Sequence, residues 1–168
     1  MPMLRIGKLV ATHGLNGTLI LSHIVGKSNW LKNDQVIFVS VQKDSHIPFY
    51  VTKFKRHNDE EYHIQLDEIE TVEAAKKLVG KQVFVPAEIL GEAKTDSPLL
   101  WIGFNVVDAE KGSLGPLTDI SQTGHQWVGT VSYQGKEVLL PMVEPILQEV
   151  NLRNKYIRMN LPDGLLDL

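Results

Sequence analysis

The chain has 168 residues, of which 43% are hydrophobic and 22% charged, a composition typical of globular proteins with one large domain or two small ones. It has no cysteine, which excludes disulfides, thiolate metal sites and cysteine nucleophiles. Its first residues lack the basic-then-apolar pattern of a secretory signal, and no run approaches the roughly 18 apolar residues of a membrane span. We therefore expect a cytoplasmic protein, and the pI near 6.1 argues against strong autonomous affinity for nucleic acid, because phosphate binding depends on Lys and Arg.

Short strands are predicted throughout the first half. Runs that mix β-branched, aromatic and polar residues are separated by turn residues, which predicts a barrel or a sandwich; the runs are 18–22, 35–41, 49–54 and 62–66. One helix is predicted from Thr71, a suitable N-cap, to Gly80, which can end it. A strand at 81–86 then stops at Pro86.

The composition changes between Pro86 and Pro98 to small and polar residues, as in an interdomain linker. We therefore predict domains at 1–88 and 99–168, joined by a linker at 89–98. The second half is again rich in strand patterns, and its clearest hairpin turns at Gln134-Gly135, where glycine supplies a positive φ. The predicted fold class is all-β (mainly β), with one short helix.

Charge divides unevenly between the halves. Residues 1–90 carry eleven Lys and Arg against ten Asp and Glu, whereas residues 91–168 carry six against ten. An acidic second half can attract a basic protein by electrostatic complementarity. An excess of four acidic residues in the second half is equally consistent with an ordinary solvated surface.

His13 is the residue that most resembles a catalyst, because a histidine can act as acid or base near neutral pH. The sequence offers it no nucleophile elbow, no P-loop and no paired acidic motif, and the six histidines lack metal-ligand spacing. We therefore predict a non-catalytic protein without a metal or cofactor. His13 is expected to cap or pack its glycine-rich turn, with an exposed contact to RNA or protein as the alternative.

Five residues are candidates for binding RNA. Lys53 and Lys55 are expected on one strand face, beside Arg56, so that they could hold phosphates. His13 and Asn16 belong to the glycine-rich turn that contains Gly14 and Gly17, and these glycines could bring backbone amides close to a phosphate. Ordinary solvated strand residues are the competing interpretation.

Five other residues are candidates for binding protein. Trp101 is of a type favoured at binding hot spots, although a barrel-core tryptophan is the competing interpretation. The tail contributes Leu161, Pro162, Leu165 and Leu166. Leu165 and Leu166 are expected to fold back and close the second barrel, with a partner contact at its rim as the alternative.

Motifs in order along nearly the whole chain are similar to the bacterial RimM family. The first motif is 6–18, which contains the His-Gly-x-x-Gly turn, and the second is the helix 71–80. The third is Ile102-Gly103, and the fourth consists of 114–117 and 135–141, closely followed by 143–146. The fifth is the ending 161–166. A lone His-Gly-x-x-Gly occurs by chance, but five matches in order are a strong signal.

The resemblance implies two small β-barrels in tandem, a translation-factor-like barrel followed by a PRC-barrel. It implies an assembly factor that binds the immature 30S subunit at its head, contacts the basic small-subunit protein nineteen and assists maturation of 16S rRNA. Nothing in the sequence suggests a stable dimer, so we expect a monomer. A PRC-barrel adaptor for another complex and an RNA-acting enzyme are the competing hypotheses.

The chain departs from the family pattern at the start of the second barrel. Many members carry a Tyr-Tyr pair there, implicated in partner binding, followed by Trp-x-Asp-Leu-Ile-Gly. Asp96 and Ser97 stand near the tyrosine positions, and Leu100 replaces the aspartate. That contact is therefore not carried over to this chain.

Overall fold

A computed structural model describes residues 3–26, 29–92 and 97–167. The chain divides into two compact units, Met1–Ser97 and Pro98–Leu168. No helix in these described ranges is long and apolar enough to cross a membrane.

The first unit is a closed six-stranded barrel. Its strands are β1 (Met3–His13), β2 (Thr18–His23), β3 (Gln35–Ser40), β4 (Ile47–Arg56), β5 (Glu61–Leu66) and β6 (Gln82–Pro86). They pair antiparallel around the barrel in the order β1, β2, β5, β4, β3, β6. Closure leaves no free sheet edge between these strands.

Alternation along the strands forms the core of this barrel. In β2, Leu19 and Leu21 are fully buried while their neighbours are half-buried, and β5 repeats the pattern with Ile64. Each buried leucine or isoleucine contributes on the order of 1.5–3 kcal/mol. The outward residues of the barrel strands form its surface, where Lys53, Lys55 and Arg56 are exposed on β4 and His13 ends β1.

Two short helices accompany this barrel, one more than the sequence predicts. The first, α1 (Val72–Lys76), has the predicted cap, since the Ala74 amide donates to Thr71 Oγ1 at 3.1 Å. The second, α2 (Ala87–Glu92), covers the start of the predicted linker, and its Leu90 is fully buried. Burial of Leu90 stabilises this helix, although a local sequence that follows Pro86 and contains Gly91 does not favour helix formation.

The second unit opens with a 3₁₀ turn at Pro98–Trp101. Its strands are β7 (Asn105–Asp108), β8 (Gly112–Thr123), β9 (Gln126–Tyr133), β10 (Lys136–Pro141), β11 (Leu147–Asn151) and β12 (Tyr156–Met159), and a second 3₁₀ turn follows at Leu165–Asp167. Their order is β10, β9, β8, β7, β12, β11, with only β7 and β12 parallel.

The twelve-residue β8 pairs with β7 near its start and with β9 over the rest, so it joins the two halves of this sheet. Val106, Val131 and Ile157, from three separate strands, are each fully buried. A six-stranded sheet buries one face this completely only when it curls around that face. The all-β class predicted from the sequence, with small barrels in tandem, is confirmed.

The predicted hairpin is present, with Gln134 and Gly135 both at positive φ between β9 and β10. Residues 101–108 have a strand-like sequence pattern, but β7 starts only at Asn105. The 3₁₀ turn before it buries Leu99 rather than the tryptophan, and Gly103 adopts a φ of 94° that a strand does not allow.

Candidate functional site

The glycine-rich turn after β1 is fixed to the barrel by Gln65, a residue that the sequence analysis did not select. The Gln65 amide nitrogen donates to the carbonyls of Asn16 at 2.8 Å and Ile69 at 2.7 Å, and Thr18 Oγ1 donates to Gln65 Oε1 at 3.0 Å. One side chain thus ties the turn to the segment that precedes α1. Asn16 itself is exposed.

Gly17 is required in this turn for two reasons. Its φ is 84°, and a Cβ at this position would lie 2.5 Å from the Ile69 carbonyl oxygen. Gly14 has a similar φ of 72° but open space around it. The turn therefore packs on one side and projects on the other, where Leu15 is 84% exposed.

Three histidines form a row beside this turn. The ring centroids of His13 and His63 are 4.6 Å apart, and those of His63 and His57 are 5.0 Å apart with the planes nearly parallel at 15°. His13 and His57 are exposed and His63 is half-buried. We call these three residues the histidine row.

The pKa of His63 lies below its ordinary value. Burial is the main cause, and the positive charges of His13, His57 and Lys55 add to it, while Glu61 opposes them. A cation at the centre of the row is therefore disfavoured by its own neighbours. An anion placed on the row would offset that repulsion.

Lys53 and Lys55 lie next to the row on β4. Lys55 pairs with His63, and Lys53 pairs with Gln65, on the adjacent strand β5. Both lysines are exposed and line a shallow groove of about 290 Å³ together with Thr18, Phe54 and His63. Strand pairing therefore brings His13, Lys53 and Lys55 to one face.

Arg56 is less available than the two lysines. Its guanidinium forms an ion pair with Asp59, and both side chains are about half exposed. The Asp59 carboxylate thus already neutralises part of the charge that a phosphate would use.

The inner side of the same region carries an aromatic cluster around His23. The His23 ring stacks on Tyr62 at 5.2 Å and meets the edge of Trp30 at 5.7 Å, and all three residues are buried. The Val25 amide donates to His23 Nδ1 at 3.2 Å. Burial, aided by the Arg56 charge and opposed by Asp59, lowers the pKa of His23 to about 4, so this histidine is neutral at physiological pH.

Asp108 holds the tail of the second unit in place. One carboxylate oxygen accepts the Leu161 amide at 2.9 Å, and the other accepts the amides of Glu110 at 3.1 Å and Lys111 at 2.9 Å. Burial alone would raise the pKa of Asp108, but these amides and that of Ala109 together hold it below its ordinary value. The carboxylate is therefore an anion with its hydrogen bonds satisfied.

A groove of about 210 Å³ lies against this hub, and we call it the tail groove. It is lined by Leu161, Pro162, Leu166 and by acidic side chains, with one lysine; the charged residues are Asp108, Glu110, Asp163, Asp167 and Lys111. Leu165 and Leu166 are half-buried rather than inserted into the core. The tail thus keeps apolar surface at the rim of an acidic depression.

The remaining protein-binding candidate, Trp101, is half-buried and lies apart from the residues lining the tail groove. Ser97 is buried. Asp96, the other residue near the family's tyrosine positions, lies outside the described residues.

Within the described part of the chain, no group of three or more His, Asp or Glu side chains is arranged to hold a metal ion. The three side chains of the histidine row do not have an arrangement that could hold a metal ion. The His57 and His63 rings stack with nearly parallel planes, and the His13 ring is tilted by 39° to that of His63.

Sequence reasoning missed Gln65, His63 and Asp108. Alternation in β5 indicates that His63 and Gln65 share one face, but the partner strands and their register are not visible in the sequence. Asp108 begins an Asp-Ala-Glu-Lys-Gly turn, so its bonds to nearby amides were foreseeable, whereas the bond to Leu161, distant in sequence, was not.

Both units match known family models in chain order. Residues 4–90 match the RimM N-terminal domain, and residues 101–165 match the RimM PRC barrel domain. The boundary between the two models falls where the two compact units meet.

The chain is similar to curated proteins over nearly its full length. It is 31% identical to the ribosome maturation factor RimM of Parabacteroides distasonis, covering 98% of this chain and 95% of that protein. It is 32% identical to the Geotalea uraniireducens protein of the same name, covering 97% and 95%.

Among solved structures, a 16S ribosomal RNA processing protein RimM of Pseudomonas aeruginosa matches with a TM-score of 0.47 and 18% identity, covering 99% of this chain and all of that one. The two family models in order, together with relatives above 30% identity along almost the entire chain, identify the family. This chain belongs to the RimM family.

Proposed function

We propose that this protein is a ribosome assembly factor that binds the immature 30S subunit at its head and assists maturation of 16S rRNA. The observation that carries the proposal is the pair of family models in order, with relatives named ribosome maturation factors over nearly the whole chain. In this proposal the two units have different partners. The first meets rRNA and the second meets a basic small-subunit head protein, number nineteen.

The protein contact is assigned to the second unit, at the tail groove. Support comes from its four acidic side chains around two leucines and a proline, against a single lysine. A basic segment that inserts an apolar side chain would satisfy both features. Leu161, Pro162, Leu165 and Leu166 then form the apolar rim, and Trp101 is a further contact.

The RNA contact is assigned to the first unit, at the face that carries His13, Asn16, Lys53 and Lys55. Support comes from two exposed lysines on one strand face beside an exposed turn. Lysines placed in this way bind RNA phosphates without distinguishing one base sequence from another. Arg56 contributes to phosphate binding if its guanidinium breaks the ion pair with Asp59.

The proposed mechanism requires no catalytic chemistry. A factor that binds one conformation of the immature subunit more tightly shifts the folding of rRNA and protein toward that conformation, by no more than the difference in affinity. The protein would act as a cytoplasmic monomer without a cofactor.

The test is sedimentation of the full-length protein with small subunits, large subunits and whole ribosomes over a salt series. We expect selective binding to free small subunits that weakens as salt rises, because phosphate contacts release counterions. Glu110→Lys with Asp163→Lys should weaken this binding, whereas Glu137→Lys, an exposed reversal on β10, should leave it intact.

Equal binding to all three particles, or to none of them, would refute the proposal and favour an adaptor for another complex. If the tail-groove reversal and the Glu137→Lys control behave alike, the assignment of the protein contact to the tail groove is wrong. A pull-down with the isolated basic head protein separates that contact from RNA binding.

A further inference from the structure

The histidine row is the feature of the first barrel that phosphate binding by lysines leaves unexplained. Three imidazoles lie in sequence across the outer face, at centroid separations of 4.6 and 5.0 Å. They come from three places in the chain: the end of β1, the residue after β4, and the middle of β5. Strand pairing has thus assembled one aromatic strip from distant positions.

This strip is largely open to solvent. His13 and His57, the two outer rings, are exposed, and only the central His63 is half-buried. No described atom of the row appears among the buried polar atoms that lack a hydrogen-bond partner. Because His13 and His57 are exposed, their rings remain accessible to a ligand.

The surroundings of the strip are cationic on one side. Lys53 and Lys55 lie on the adjacent strand, and the groove that they share with His63 includes Thr18 and Gln65. Of the acidic groups nearby, Glu61 accepts from Asn58 at 3.2 Å and Asp59 pairs with Arg56. On its other side Lys53 borders a second groove with Asp67, Glu68 and Glu70. Exposed rings at both ends of the row, bordered by lysines, can stack bases and hold phosphates.

We propose that the histidine row, with Lys53 and Lys55, is a stacking platform for the unpaired bases of single-stranded RNA. This rests on the proposed function and names the kind of RNA that the first unit meets. A duplex hides its base faces inside its own stack and offers only its backbone and groove edges. Exposed stacking surfaces therefore select unpaired segments, such as those of incompletely folded rRNA.

The chemistry also makes the platform sensitive to pH. The groups that face the row are Lys55 and Lys53 from β4, Glu61 from β5, and the Arg56–Asp59 pair beside His57. Protonation of His63 is opposed by its cationic neighbours, and a bound phosphate would relieve that opposition. Binding and proton uptake are then linked, so that RNA binding raises the affinity for protons and lower pH raises the affinity for RNA.

The test measures binding of full-length protein to a labelled adenine- and uracil-rich RNA of about ten nucleotides, and to a duplex of the same length. We expect the single strand to bind at least about tenfold tighter than the duplex. Its dissociation constant should also fall by about threefold or more between about pH 7.5 and about pH 6.

Two substitutions at one exposed position separate stacking from charge. His57→Gln removes a ring and should weaken single-strand binding by about fivefold or more at both pH values. His57→Phe keeps a ring but cannot be protonated, so it should retain binding near neutral pH and reduce the pH dependence. His125→Gln, in the exposed turn between β8 and β9, is the matched control and should change neither.

Equal affinity for single strand and duplex would overturn the inference, as would an unchanged affinity of His57→Gln. Sedimentation with small subunits distinguishes this failure from that of the proposed function. If the protein binds free small subunits but shows no preference for unpaired RNA, the platform is wrong and the assembly role stands.

Discussion

Asp108 is a charged side chain that the second unit buries almost completely, to 5% exposure. Four backbone amides make this possible, because a buried carboxylate is tolerated only when hydrogen bonds replace its hydration. Three of those amides belong to the turn after β7, and the fourth belongs to the tail. The same residue therefore shapes the turn and fixes the position of the tail groove.

We predict that Asp108→Ala lowers the free energy of unfolding of the second unit by about 2–4 kcal/mol, since it leaves part-buried amides without their acceptor. Hydrogen exchange of the Leu161 amide should accelerate strongly. Asp163→Asn, at an exposed position of the same tail, should change neither quantity. Equal exchange in the two variants would mean that Asp108 does not hold the tail.

His23 makes the first unit sensitive to acid. Its folded pKa of about 4 lies below the unfolded value of 6.5, so between these values the unfolded chain binds a proton that the folded chain does not. The stability associated with neutral His23 is complete above pH 6.5 and is lost as pH falls toward 4. Below that range the loss should reach about 3 kcal/mol.

The measurement is unfolding by denaturant, followed by the Trp30 indole signal in NMR spectra, at several pH values between those limits. His23→Asn keeps an acceptor for the Val25 amide but cannot be protonated. It should be less stable than the parent at neutral pH and lose less stability on acidification. A parallel decline in both proteins would assign the acid sensitivity to other groups.

At the scale of elements, the turn between β1 and β2 links the barrel wall to the surface that carries His13. Gln65 on β5 binds the turn from below, and Gly17 allows it to pack against the Ile69 carbonyl. A local motif of two glycines thus depends on contacts made by residues about fifty positions away. The same contacts set where the histidine row begins.

We predict that Gly14→Ala costs about 1 kcal/mol and Gly17→Ala at least about 2 kcal/mol of stability. Both substitutions force alanine to positive φ, but only the second drives a Cβ into the Ile69 carbonyl. Thermal or denaturant unfolding of the two variants in parallel measures the difference. Similar costs would show that the turn has room to move away from α1.

At the scale of the whole molecule, the proposed role uses two surfaces with opposite charge. Residues 91–168 carry six basic against ten acidic side chains, which suits the basic protein partner proposed for the second half, whereas residues 1–90 carry eleven against ten. A factor that contacts protein and RNA on one particle gains affinity from both contacts, because the second forms at high effective concentration.

We therefore predict that Lys53→Glu with Lys55→Glu weakens binding to small subunits but leaves binding to the isolated basic head protein unchanged. Glu110→Lys with Asp163→Lys should weaken binding to small subunits and also binding to the isolated head protein. Lys43→Glu, an exposed reversal in the first unit, serves as the control in sedimentation and pull-down assays. Loss of head-protein binding in the Lys53 and Lys55 variant would contradict the division of partners.

The sequence by itself determined the features that depend on local pattern. Alternation predicted the strands, Thr71 predicted the cap of α1, Gly135 predicted the tight hairpin, and the ordered motifs indicated the family. These succeed because turn geometry, capping and strand periodicity are set by residues within a few positions of each other. The acidic character of the second half is likewise a property of composition.

Only the tertiary structure decided which of these residues meet. The helix α2 forms because Leu90 finds a buried site, which no local pattern in the proline-bounded segment indicates. His13, His57 and His63 become one row through the order and register of strand pairing, and Asp108 reaches Leu161 across 53 positions. Register and closure are settled by the fit of the whole core, so the surfaces that follow from them cannot be derived from single segments.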